Sequence, residues 1–382
     1  MDLTRRQLIE GLGLAAASAT LSRASAAQTA APPMAPYAAD VLPAGIRSRF
    51  VENINGLRMH VLEAGYEPKG RPAVLLLHGF PELAYSWRKV MGPIAAAGYH
   101  VIAPDVRGYG RTSGTDVRYD DDLAPFRTLN QVRDMLGLVS AFGYRSVTAV
   151  IGHDQGSPLA AWCALTRPDV FRSVTMMSAP FAGPPALPFD TADAPASAGS
   201  AAADTIYDEL AALTPPRKHY QRYYTTREAN DNMWHATQGV HAFQRAYYHM
   251  KSADWTQNHP APLTARTASE WAKLPRYYVM DLDKGMAETV AAEMPSPSAI
   301  AANRWLPGRN CASTAPNMDE PVSRAGSRAI APAPAAASRR NSSCSPAAPS
   351  TCRRCSSAAG ATGVCIRTRA PSSACRRWRA RR

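Results

Sequence analysis

A chain of 382 residues with 46% hydrophobic content has the length and the apolar content for one large domain or two smaller ones. Its net charge of +13 is uneven: 14 of the 43 basic and 2 of the 30 acidic residues lie from Gly308 onward, leaving 29 bases against 28 acids before it. A body so near neutrality gives no electrostatic reason to expect nucleic-acid binding, and Cys163 is its single cysteine, the other six running from Cys311.

In chain order, Arg5-Arg6, a modest apolar stretch Gly11–Leu21 and Ala24-Ser25-Ala26 form the pattern of a twin-arginine export signal over residues 1–26. The mature protein is then expected to begin near Ala27 and to be periplasmic or extracellular; a plain amphipathic helix is the alternative. The apolar stretch is too short to span a bilayer permanently. The Ala/Pro-rich residues 27–47 read as a linker. Ser48–Ala64 offers two alternating segments about Asn55-Gly56, a hairpin signal. Ala73–Leu77 is a continuous apolar run, as in a strand covered on both faces, and Tyr99–Ala103, Ser146–Ile151 and Ser173–Met177 repeat it. Helical patterns at Ser86–Ala97, Leu129–Phe142 and Leu159–Leu165 lie between them, so the alternation predicts an α/β, mostly parallel, doubly wound sheet over residues 48–184. Residues 185–306 begin Ala/Ser/Pro-rich and continue with Tyr, Trp, His and helix formers but no convincing strand; they are expected to form a helical lid over the strand ends.

Beyond Pro307 the chain has no Leu, Phe, Tyr or Lys, and residues 307–382 are expected to be disordered and to leave the sheet without its last strands, its edge unpaired. A shift of reading frame offers a cause. With free choice of codons, Ala312–Arg324 permits VYSTEYGRTGFQ, the continuation permits a Gly-Tyr-Arg, and Thr351–Ser373 permits an apolar strand followed by a turn ending in Asp. Two other readings stay open: a metal or disulfide module around Cys352 and Cys355, and an Arg-rich arm for nucleic acid or anionic lipid.

The chemistry is concentrated in three short stretches. Val150–Leu159, VIGHDQGSPL, has the strand–turn–helix layout of a nucleophile elbow, with Asp154 at the reactive position between Gly152 and Gly156. His78-Gly79-Phe80-Pro81 closes the third strand in a turn whose backbone N–H groups can face that carboxylate. Asp105–Gly110, DVRGYG, fits a turn bracing the same loop. Singly each is weak, since an Asp after a strand is often a helix cap. Their order on successive strands is specific.

With the lid segment His219–Tyr224, these motifs make residues 48–306 resemble the epoxide hydrolase branch of the α/β-hydrolase superfamily. The resemblance implies a cofactor-free and metal-free enzyme acting on a small hydrophobic epoxide. It casts Asp154 as the nucleophile, the N–H groups of Phe80 and Gln155 as the oxyanion site, and Tyr220 as one of two lid tyrosines on the epoxide oxygen. The haloalkane dehalogenases share the Asp elbow but usually follow it with Trp, where this chain has Gln155. His153 is expected to point away from the site, and Tyr223, Tyr224, Trp234, Tyr247, Tyr248, Tyr277 and Tyr278 to be packing or pocket wall. The resemblance also requires a His base and an orienting acid after the lid, yet the last of nine histidines is His259. This polypeptide is therefore expected to be inactive in ester hydrolysis, or a non-catalytic fragment.

Overall fold

Buried β-branched and leucine runs nucleate the sheet, and the order in which they pair sets where the chain can do chemistry. The computed structural model describes residues 34–115, 119–181, 183, 205–306 and the backbone of 365–368. The chain divides into two units, residues 1–34 and 35–382, and every strand and helix named in this section belongs to the second. The export signal, the start of the lid and nearly all of the expected tail lie outside the described residues.

Strands β1 (Ile46–Ile54) and β2 (Leu57–Ala64) form the expected hairpin, with Asn55 and Gly56 both at positive φ in its turn. β3 (Ala73–Leu77), β4 (His100–Pro104), β5 (Ala149–His153) and β6 (Ser173–Met177) complete the body of the sheet. The strand order is β1-β2-β4-β3-β5-β6, antiparallel at β1/β2 and β2/β4 and parallel thereafter. Each of the five residues of β3 and of β4 is buried, which accounts for the apolar runs Ala73–Leu77 and Val101–Ala103. β5 lies further along than expected because Gly152 and His153 pair with Met176 and Met177 of β6, while Val147 makes only an isolated bridge to Phe171.

Helices α1 (Arg88–Ala96, entered through a 3₁₀ turn Ala84–Trp87), α2 (Thr128–Ala141) and α3 (Gly156–Thr166) are the crossovers. The described lid carries α4 (Thr205–Ala211), α5 (Tyr220–Tyr224), α6 (Arg227–Trp234), α7 (Val240–Met250), α8 (Ala268–Trp271), α9 (Met286–Ala291) and α10 (Pro297–Ala302). It also contains two strands that the sequence did not announce. β7 (Arg217–His219) and β8 (Val279–Asp281) pair antiparallel across some sixty residues of chain, too short and too distant for a local period to register.

The sheet edge differs from expectation as well. Cys365–Thr368 (β9), inside the stretch read as disordered, pairs antiparallel with β6 and closes that edge. An open edge is a template for any short segment able to extend, and Ile366 and Thr368 supply β-branched residues at alternate positions. One hydrophobic cluster runs from the sheet through the crossovers into α5, α6 and α7, and a smaller one joins Ile206, Leu210, Ala268 and Val279. Among the described residues no helix is long and apolar enough to cross a membrane.

Candidate active site

Asp154 leaves the end of β5 at φ +52°, a left-handed conformation that costs a non-glycine residue about 1–3 kcal/mol and that the surroundings must enforce. They do so from both sides. Its N–H donates to the Met177 carbonyl at 3.1 Å, and its carbonyl accepts from Ser157 N–H at 3.0 Å as α3 begins. A methyl group at Gly152 would overlap the Gly156 carbonyl, so the elbow can turn this tightly only without Cβ atoms there. Gly79 has the same constraint toward the reacting group, since its Cβ would lie 2.6 Å from Asp154 Oδ1.

The HGFP turn at the end of β3 meets this carboxylate directly. Phe80 N–H donates to Asp154 Oδ1 at 3.0 Å, which fixes one oxygen of the carboxylate. His78 is a buried brace: its Nε2 accepts from Val106 N–H at 3.0 Å, and Nδ1 lies 3.0 Å from the Gly79 carbonyl. Burial pushes its imidazole below the ordinary range and so keeps it neutral. Tyr109 of the DVRGYG turn donates to Gln155 Oε1 at 3.1 Å, holding the residue that follows the elbow.

The same turn is anchored by Asp105, which has no solvent exposure. Its carboxylate accepts from Ala84 N–H (2.9 Å) and Arg111 N–H (3.0 Å) and lies 2.7 Å from His60 Nδ1. Burial pushes this carboxyl up, but His60 and the backbone donors outweigh it and hold it at about 2. His60 Nε2 in turn lies 2.8 Å from Ser48 Oγ, so Ser48, His60 and Asp105 have the connectivity of a hydrolytic triad. The His60 ring is fully buried with Tyr37 and Phe50 edge-on to it, which makes the line a brace between β2 and the turn.

His153 precedes the elbow at the end of β5. It is partly exposed, its Nδ1 is 2.9 Å from Glu82 Oε2, and that hydrogen bond raises its pKa against the effect of burial, with Asp154 and Lys251 also within electrostatic reach. The pairing with Glu82 ties His153 to the HGFP loop. The strand register dictates this: His153 is the last paired residue of β5, and the reversal at Asp154 turns the chain next to Glu82 of the HGFP loop.

The lid closes over the turn through aromatic contacts. The Phe80 and Tyr224 rings are 5.1 Å apart, and Tyr248 Oη donates to the Pro81 carbonyl at 3.2 Å. Tyr220 is half-buried at the start of α5, its N–H on the Tyr278 carbonyl (2.8 Å) and its ring 5.5 Å from Tyr224 and 5.3 Å from Tyr278. Burial raises its phenol pKa; Asp154 adds to this and Lys251 opposes it. Tyr223, Tyr224, Tyr247 and Tyr277 are buried, as expected of packing residues. Two charged neighbours of the site were not legible as such: Glu82, an acid in an ordinary turn, and Lys251, a single lysine just past α7. The base, acid and second lid tyrosine that the resemblance requires would follow the lid, where the sequence has no His and no Tyr. Among the described residues no cluster of His, Cys, Asp and Glu could hold a metal ion.

Residues 72–212 match the α/β hydrolase fold family. The chain is 43% identical over 127 residues to an epoxide hydrolase of Caballeronia sordidicola, spanning 33% of this chain and 36% of that protein. To epoxide hydrolase B of Mycobacterium tuberculosis it is 35% identical over 181 residues, 46% of each chain. It thus spans less than half the length of these curated relatives. Among solved structures it is similar to an epoxide hydrolase from an endophytic Streptomyces (TM-score 0.56, 26% identity, 79% of this chain and 75% of that one). A laboratory-evolved variant of potato epoxide hydrolase gives a TM-score of 0.52 at 25% identity, over 75% and 73% of the two chains.

Proposed function

We propose that this chain, an α/β hydrolase of the epoxide hydrolase family, opens a small hydrophobic epoxide through an ester on Asp154. The observation that carries the proposal is the contact of Phe80 N–H with Asp154 Oδ1, at 3.0 Å on a carboxylate held at positive φ. A carboxylate is already anionic at neutral pH, so its attack needs no base. Oδ2 forms a bond to a ring carbon, the ring C–O bond breaks, and the departing oxygen takes the proton of Tyr220. The ester carbonyl oxygen is then the Oδ1 already held by Phe80, with the Gln155 N–H as the second donor when water adds. Gln155 in place of Trp favours an epoxide over a halide substrate.

Ester hydrolysis requires a general base, and no histidine follows His259. We therefore place this polypeptide at the alkylated stage, with slow diol release, and read the sequence from Pro307-Gly308 as shifted out of frame. We also propose export by the twin-arginine route, on the strength of Arg5-Arg6 ahead of Gly11–Leu21 and Ala24-Ser25-Ala26.

The test is the full chain with styrene oxide. One equivalent consumed per chain, little diol released, and no consumption by Asp154→Asn is the expected result. Sustained diol release by this chain would refute the stall, and consumption by Asp154→Asn would refute the role of Asp154. Sequencing the gene across codons 300–315 tests the frame, and an unbroken read encoding this tail would dismiss the shift.

A further inference from the structure

Lys251 lies one residue beyond α7, partly buried among tyrosines. Its Nζ is 4.7 Å from the ring centroid of Tyr247, 5.2 Å from Tyr277 and 5.3 Å from Tyr278. Tyr277 and Tyr278 are themselves packed at 4.4 Å, and the face of Tyr278 continues to the Tyr220 ring at 5.3 Å. On the other side Tyr247 Oη accepts from Tyr224 Oη at 3.4 Å, and the Tyr224 ring reaches Tyr220 and Phe80. The ammonium thus occupies an aromatic cage, one side chain removed from Tyr220 through Tyr278 and two removed through Tyr247 and Tyr224. Rings that present their negative faces favour a cation over a neutral amine. Burial opposes the charge on Lys251, yet its tyrosine neighbours and Asp154 outweigh burial and raise its pKa.

We infer that Lys251 is a positioning residue that readies Tyr220 to protonate the departing epoxide oxygen, its caged ammonium stabilising the phenolate left behind. The inference rests on the function proposed above. Its physical basis is the direction in which charge moves. Before attack the negative charge is on Asp154; afterwards Asp154 is a neutral ester, and once Tyr220 has given its proton to the departing oxygen the charge resides on Tyr220 Oη. A fixed cation in the lid wall interacts more strongly with that second state, so it accelerates alkylation instead of merely tightening binding. The groups around Tyr220 are Asp154, Lys251, Tyr247 and Tyr278, with the His219 ring at 4.9 Å and the Tyr224 ring at 5.5 Å. Lys251 is the one cation in that set. His153, paired with Glu82, lies within electrostatic reach of both Asp154 and Lys251.

Two measurements test the inference on the full chain. The first is the rate of adduct formation with styrene oxide, followed by intact-mass spectrometry, in Lys251→Met and Lys251→Arg, each with Tyr220 and with Tyr220→Phe. Lys251→Met is expected to slow alkylation about tenfold or more when Tyr220 is present and by less than about twofold in Tyr220→Phe, with Lys251→Arg restoring most of the rate. Equal slowing in both backgrounds, or none in either, would overturn the inference and leave the hydrolase proposal standing. The second needs no turnover. The phenolate absorbance of Tyr220, taken as the difference between each chain and its Tyr220→Phe counterpart, should titrate at least about one pH unit higher in Lys251→Met. An unmoved titration overturns the inference whether or not an adduct forms. Absence of any adduct on the unaltered chain overturns the hydrolase proposal, and the positioning role of Lys251 with it.

Discussion

At the scale of single residues, the site rests on a carboxylate that the backbone holds in a conformation it would not choose. Asp154 was legible because that constraint marks its neighbours: a turn this tight requires Gly152 and Gly156, and glycines at fixed spacing are visible in a sequence. Gly79 follows the same logic across the site: its Cβ would overlap Asp154 Cβ and lie 2.7 Å from the His153 carbonyl, so Gly79→Ala must shift the elbow itself and is expected to cut adduct formation by about 10²-fold. An unchanged alkylation rate in that variant would show that the carboxylate can relax away. Tyr220→Phe removes the acid alone and should slow alkylation by about 10²-fold or more, measured in a single turnover. Lys251 and Glu82 were not legible for a common reason. The meaning of a lysine at 251 depends on Tyr277 and Tyr278 arriving from another element, and that of a glutamate at 82 on the ring of residue 153. No local pattern in the sequence encodes either encounter.

At the scale of elements, buried ion pairs hold the strands and turns that carry the site. Glu63 of β2, with no exposed side-chain surface, contacts Arg47 (3.0 Å) and Arg49 of β1 and His100 of β4 (3.1 Å), joining three strands. Burial pushes its carboxyl up, but these hydrogen bonds pull harder, and it moves from 4.5 to about 2. A depressed carboxyl contributes stability that is present above pH 4.5 and lost as the pH falls through about 2. Allowing for screening of the half-exposed arginines, about 2–3 kcal/mol of unfolding free energy should disappear across that window, and Glu63→Gln should lack this part of the acid dependence in denaturant titrations. Arg107 of the DVRGYG turn grips Asp134 of α2 through two hydrogen bonds of 2.6 and 2.8 Å. Asp134→Ala leaves that guanidinium buried without its partner and is expected to cost about 3–5 kcal/mol, read as a lower denaturation midpoint. The strands and crossovers were legible because their burial is periodic or continuous. The lid pair β7–β8 was hidden because its two halves are three residues each and distant in sequence.

At the scale of the whole molecule, two halves of one catalytic cycle are unequally represented. The described residues hold Asp154 on its Phe80 donor beneath an aromatic cluster that includes Tyr220, the groups that the proposed ring opening uses. The base that should finish the reaction belongs after the lid, where the composition turns to Arg, Ala, Ser and Pro. β9 takes the open place beside β6, a position that four residues of almost any extendable chain can fill, so its pairing says little about the tail. On the proposed shift of frame, restoring it after codon 307 should convert a single turnover into continuous diol formation. The most direct test of the account is peptide-resolved mass spectrometry of the full chain, quenched in acid after mixing with styrene oxide. The expected result is a mass gain of one epoxide on the peptide that contains Asp154, absent from Asp154→Asn; an adduct on any other residue, or none on a folded chain, contradicts it.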